Sequence, residues 1–284
     1  MTTMAQRGLT LAQSVLRDFS KNNGSYMAAG IAYWTLFSLF PLALAGISFL
    51  GFFYPTPQKQ EEIIERIIVL VPVSGDYLAD LINSLARARG ALGLLAIIGL
   101  LFSGAKVFAA IRRGINHVWD TNTPHSFMLA RAIDFLMLLG VMLLVAVVLI
   151  FGAMISGFLS LVGPASGVAG VALQIFQEIL VWGFTFGVFI LLYRYIPSTE
   201  VAWRDIWLGA LVATLLFHVV RIGFTWFIIH AEGFNIVYGS LGALFAVLSW
   251  AYFSSLALMW GAQVVATYSR LYGSGASAVR REMP

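Results

Sequence analysis

Long apolar runs alternate with short polar connectors along this chain, and most of the runs are too uniformly apolar to be helices with one wet face. Residues 8–20 are the exception: Leu9, Ala12, Leu16 and Phe19 recur at helical spacing, Arg17 and Asp18 lie off that stripe, and Asn22-Asn23-Gly24 follows as a stop. This pattern predicts a short helix lying at a membrane interface. From Asn22 to Gln58 there is no charge, and 26–54 reads as a first spanning helix with a kink at Pro41. Lys59 to Arg89 then holds nine charges around two amphipathic runs broken at Pro72 to Gly75, so 59–89 reads as a helical hairpin outside the lipid core.

The remaining runs continue the series. Residues 90–111 form a second span between Arg87 and Arg89 on one side and Arg112 and Arg113 on the other, with Lys106 near its end. Phe135 to Gln177 is 43 residues without a charge. One crossing needs about 20 residues, so this stretch holds two. Gly163-Pro164-Ala165-Ser166-Gly167 is a turn by composition, dividing 133–160 from 171–196. Spans at 206–229 and 238–268 bring the total to six. The expected fold class is all-α, a single polytopic membrane domain.

Composition supports the membrane class: of 284 residues, 60% are apolar and 11% charged, where a soluble domain is about one quarter charged. A soluble enzyme or a nucleic-acid module is thereby excluded. With 17 Lys and Arg against 13 Asp and Glu, and a pI near 9.5, the basic excess needs a destination. Placing the N-terminus inside puts twelve Lys and Arg in inner segments and four (Lys59, Arg66, Arg87, Arg89) outside, which predicts that both termini are cytoplasmic. Orientation absorbs the charge, and no nucleic-acid partner is implied. The absence of cysteine excludes disulfides, thiolate metal ligands and a cysteine nucleophile. The first long apolar run starts only after Lys21 and exceeds a signal-peptide core, so it reads as a retained signal-anchor.

Several phrases then combine. They are Ala32-Tyr33-Trp34-Thr35-Leu36-Phe37-Ser38-Leu39-Phe40-Pro41, Tyr193-Arg194-Tyr195-Ile196-Pro197 with Trp203-Arg204-Asp205 and Gly209-Ala210, Tyr238-Gly239-Ser240-Leu241-Gly242-Ala243, and Trp250-Ala251-Tyr252 through Gly261-Ala262. As a set they resemble the YihY/BrkB family of bacterial inner-membrane proteins over essentially the full length. The resemblance implies six spans, a transporter-like role, a virulence-factor label on some members and an older ribonuclease BN label. One departure is Gln263, which stands where the resemblance leads one to expect Glu.

Charged side chains within spans are the first candidates for chemistry, because lipid makes them costly. Glu178 and Arg221 each fall ~10–12 Å below the outer ends of their spans at ~1.5 Å per residue, and they are expected to lie within hydrogen-bond reach of each other. Thr214, His218, Arg221 and Thr225 share one helical face, as do Gln174, Glu178 and Thr185. Tyr252, Ser249 and Gln263 in the last span, with Ser38 beside Pro41 in the first, extend a candidate solute or ion path between the first, fourth, fifth and sixth spans. His218 and Glu178 are its proton-exchanging groups. The bland alternative is that these residues fix helix register through buried hydrogen bonds. Lys106 reads as a snorkelling residue at the inner interface, and Gly183 and Gly187 as close-packing positions.

Ser103-Gly104-Ala105-Lys106 matches S-x-x-K without its companion motifs. His117 and His125 lack partners at metal spacing. No catalytic residue, metal or cofactor is implied, and ribonuclease chemistry has no segment polar enough to hold it. The functional expectation is a transporter-like protein moving a polar or anionic solute, with the outer hairpin as a lid. The other class is a non-transporting envelope structural or lipid-interacting protein. Beyond the bilayer itself, a small solute, a lipid or a second copy of the chain are the partners left open.

Overall fold

The computed structural model describes residues 4–53, 91–120, 128–129, 132–140, 143, 168–230 and 240–273. All regular structure among them is helical: α1 (Met4–Lys21), α2 (Gly24–Phe53), α3 (Ala91–Val118), a helical stretch over 132–140, α4 (Val168–Tyr195), α5 (Trp203–His230) and α6 (Ser240–Leu271). The expected hairpin at 59–89 and most of the expected span at 133–160 lie outside the described residues. α3 continues seven residues beyond 111 to Val118, carrying Arg112 and Arg113 on the helix rather than after it.

Among the described residues, three helices are long and apolar enough to cross a membrane, through Glu178–Tyr195, Trp203–Phe227 and Leu244–Leu271. On α5 the side chains explain why. Trp207, Leu211, Leu215, Val219, Ile222 and Trp226 recur every three or four residues and are 40–65% exposed, while Ile206, Ala210, Ala213, Thr214 and His218 are buried. An outward apolar stripe along a whole helix suits lipid rather than water, and the small or polar residues are the ones turned inward.

The chain divides into two compact units, residues 1–27, 111–217 and 256–284 in the first, and 28–110 and 218–255 in the second. In the first unit α5 and α6 approach at two glycines. A Cβ built on Gly209 would lie 2.5 Å from the Gly261 carbonyl oxygen, and one on Gly261 would lie 2.6 Å from Ala213 Cβ and 2.7 Å from the Gly209 carbonyl oxygen. Glycine is needed on both helices for the backbones to come this close. The buried Tyr193 hydroxyl of α4 sits against the same spot and donates to the Leu258 carbonyl at 2.7 Å.

α1 packs on the end of α6 through a stacked pair, Phe19 and Trp260, with ring centroids 3.9 Å apart and planes 7° from parallel. The chain turns sharply after Lys21, where Asn23 adopts φ 50°, a left-handed position that asparagine tolerates. Gly24 then lies directly against the Phe19 ring, where any Cβ would collide. Phe19→Ala therefore should lose about 3 kcal/mol and free α1. Hydrogen exchange should show residues 4–21 losing protection while α4 keeps its own; unchanged protection in α1 would contradict this packing.

In the second unit α2 and α3 run antiparallel. Lys106 of α3 lies over the Trp34 ring of α2, and seven residues further along each helix a Cβ on Gly99 would meet Pro41 at 3.4 Å. Two successive back-bonds precede Pro41: Thr35 Oγ1 donates to the Ile31 carbonyl at 2.9 Å and Ser38 Oγ to the Thr35 carbonyl at 2.7 Å.

Candidate functional site

The polar residues expected on α5 do share one face, and the cover over that face thins along the helix. Thr214 is 2% exposed and His218 1%, Arg221 is half-buried and Thr225 exposed. The Thr214 hydroxyl donates to the Ala210 carbonyl at 2.8 Å and that of Thr225 to the Arg221 carbonyl at 2.9 Å. Both hydroxyls thus keep only acceptor capacity for anything else.

On α4, Thr185 is buried and donates to the Val181 carbonyl at 2.8 Å, whereas Glu178 is exposed. Glu178 and Thr214 meet on one groove of about 640 Å³, whose other lining residues, Ile175, Ile179, Trp182, Gly183, Phe186 and Leu211, are apolar. The structure thus places Glu178 on an open groove rather than in an enclosed stripe. The backbone of Gln174 belongs to α4; its side chain lies outside the described residues. Glu178 falls in the first unit and Arg221 in the second.

Gln263 is fully buried, and its amide is engaged at both ends. Its Oε1 accepts from Asn22 Nδ2 at 3.1 Å and its Nε2 donates to Thr267 Oγ1 at 3.0 Å. This amide ties the turn between α1 and α2 to α6, the register-fixing role, and nothing in the chain's pattern singles out Asn22 as its partner. Tyr252 is half-buried beside Phe253, with centroids 5.7 Å apart, and Ser249 is exposed.

Polar pairs concentrate where α3, α4 and α6 end. Arg112 forms a two-pronged bridge to Asp134, Nε to Oδ1 at 2.9 Å and Nη2 to Oδ2 at 3.0 Å. Asn116 Nδ2 donates to Ser198 Oγ at 2.9 Å, and the Ser198 amide donates to Asn116 Oδ1 at 2.8 Å. Arg270 Nη2 donates to the Val118 carbonyl at 2.7 Å. Arg194 donates to the Val201 carbonyl, and its guanidinium lies 5.5 Å from the Trp203 ring centroid. These residues read from sequence only as loop charges and turn formers. A signal was present in Asp134, an acid one residue into an otherwise uncharged span, which needs a cation nearby.

Among the described residues nothing lies within 4 Å of a Cβ at Gly183 or Gly187; the close approach there is at Gly209 and Gly261. Lys106 does not snorkel toward the C-terminal end of α3. Its ammonium lies 5.2 Å from the ring centroid of Phe102, one turn toward the N-terminus, and 5.6 Å from that of Trp34. The Cα–Cβ bond of a helical residue tilts toward the N-terminus, and this lysine follows it.

Comparison with known proteins gives the setting for this geometry. A family model described as Virulence factor BrkB matches residues 15–283. A UPF0761 membrane protein of Alcanivorax borkumensis is 27% identical over 88% of this chain and 58% of its own length. Another, from Pseudoalteromonas translucida, is 28% identical over 85% of this chain and 80% of its own. A Bacillus subtilis protein named as ribonuclease-like, YfkH, is 24% identical over 90% of this chain and 94% of its own. The chain thus spans less than two thirds of the length of the Alcanivorax relative. No solved structure matches.

Proposed function

We propose, from the premise that this chain belongs to the BrkB virulence-factor family of membrane proteins, that it passes a polar or anionic solute along the polar face of α5. His218 and Arg221 meet the solute, and Glu178 is the exposed carboxylate of α4 that we assign to the same function. Thr214, Thr225, Gln174, Tyr252 and Ser38 are the polar residues we assign to the same route. The observation that carries the reading is His218, an ionisable imidazole 1% exposed in a 28-residue apolar helix whose other side is a stripe for lipid. Buried ionisable groups in spans are costly, and solute or ion pathways are among the functions for which they are kept. We place the protein in the bacterial inner membrane with both termini in the cytoplasm. The ribonuclease-like wording stays with the Bacillus protein.

The test is solute flux in proteoliposomes with single variants. Arg221→Ala and His218→Ala should lower flux tenfold or more, and Glu178→Gln should lower it. Flux unaffected by all three single variants, in protein that keeps its helices, would remove the route. The groove at Glu178 favours a second reading, a lipid-interacting protein, since an acyl chain fits its apolar lining. On that reading Gly183→Phe, which fills the groove, displaces lipid and leaves no flux to lose.

A further inference from the structure

Lys106 is the one charge in the described part of α3 ahead of Arg112. It lies 15 residues from Ala91 and 12 from Val118, or ~22 Å and ~18 Å along the helix. The inner end of α3 is fixed by Asn116, bonded to Ser198 in the loop that follows α4. Lys106 is ten residues, ~15 Å, from that point. Half the thickness of a hydrocarbon core is also ~15 Å. With α3 as a span, the ammonium is a charge near mid-membrane, and its stem leads it further from the nearer end.

Two aromatic rings hold the cation. Trp34 and Phe102 present rings at 5.6 and 5.2 Å, which is cation–π distance. Among the described residues no carboxylate lies within ion-pair reach of it. An ammonium has three N–H donors and ring faces satisfy them poorly. The antiparallel register set by Trp34 with Lys106 and Pro41 with Gly99 puts Ser38 level with Phe102, one turn from Trp34 on the side to which the ammonium points. Ser38 already donates to Thr35, so its oxygen is free to accept. The Gly99 and Pro41 contact closes α2 against α3 one turn further on.

We infer that Lys106, backed by Trp34 and Phe102 and beside Ser38, is a binding site for a small anion or for the anionic group of a larger molecule, a carboxylate or phosphate. A positive charge at this depth, with no carboxylate in reach among the described residues, attracts a counter-anion, and the aromatic rings preorganise the lysine to meet it. The site shares Ser38 with the proposed route but does not rest on it, since it binds whether or not the bound anion crosses the membrane.

Trp34 is itself the reporter. The protein in phosphatidylcholine nanodiscs is titrated with iodide, an anionic quencher of indole fluorescence, at ionic strength held constant with gluconate. The chain has eight tryptophans, so the Trp34 share is the difference between wild type and Trp34→Phe. That share should quench saturably. Acetate should compete, Lys106→Met should weaken the saturable component tenfold or more, Lys106→Arg should retain it, and the neutral quencher acrylamide should act alike on all. Ser38→Ala, which removes only an acceptor, should weaken it severalfold and serves if Lys106→Met does not fold. Discs containing phosphatidylglycerol separate the sources: loss of iodide quenching there assigns the site to a lipid phosphate, and no loss assigns it to a soluble anion. Iodide quenching that is linear and equal in wild type, Lys106→Met and Ser38→Ala would overturn the site.

Discussion

Gly261→Ala should cost about 3 kcal/mol or more and leave α5 unable to seat on α6. The added methyl would stand 2.6 Å from Ala213 Cβ and 2.7 Å from the Gly209 carbonyl oxygen, with the Tyr193 hydroxyl blocking the remaining side. Of these neighbours only Tyr193 has any freedom, and moving it breaks its bond to the Leu258 carbonyl. Gly183→Ala makes the matching control, because among the described residues nothing lies within 4 Å of its Cβ. In a helix interior that change should stabilise slightly, by about 0.5–1 kcal/mol. Thermal unfolding of detergent-solubilised protein, followed by intrinsic fluorescence and size-exclusion, reads both. Equal melting temperatures for the two alanine variants would mean that α5 and α6 do not approach at Gly209 and Gly261.

The bridge between Arg112 and Asp134 carries the second large effect. Their side chains are 18% and 2% exposed, so removing one partner strands the other in a poorly solvated place. Arg112→Met or Asp134→Leu alone should cost about 3–5 kcal/mol, the larger loss falling on Arg112→Met, which leaves the more buried carboxylate alone. The double variant should recover to near wild type, since an apolar pair of similar volume replaces two costly charges. Melting temperatures of the four proteins form a closed cycle; purely additive losses would show that the two side chains do not depend on each other.

The requirement of about 20 apolar residues per crossing made α4, α5 and α6 legible, each long and apolar enough to span. Contact partners were less legible. Gly183 and Gly187 have the spacing associated with helix packing, yet the packing falls on Gly209 and Gly261, each followed by Ala in the sequence; spacing within one helix carries no information about the opposing one. Gln263 attracted notice as a departure from the family pattern, and its role became readable only with Asn22 and Thr267 placed beside it. The length of α3 was misjudged because two arginines suggested an end, whereas Arg112 is neutralised by Asp134 and the helix continues. Lys106 was visible as a charge, but its direction depended on Phe102, one turn back, whose ring draws the ammonium away from the nearer helix end.

The most direct test of solute passage is osmotic swelling. Liposomes holding the protein are placed in potassium salts with valinomycin present, so that potassium moves freely and the swelling rate, read by light scattering, is set by the anion. Passage along α5 predicts swelling faster than protein-free liposomes for at least one small anion, falling to the protein-free rate with Arg221→Ala. Identical rates with wild-type protein, with Arg221→Ala and with no protein, across halide, nitrate, acetate and phosphate, would contradict it.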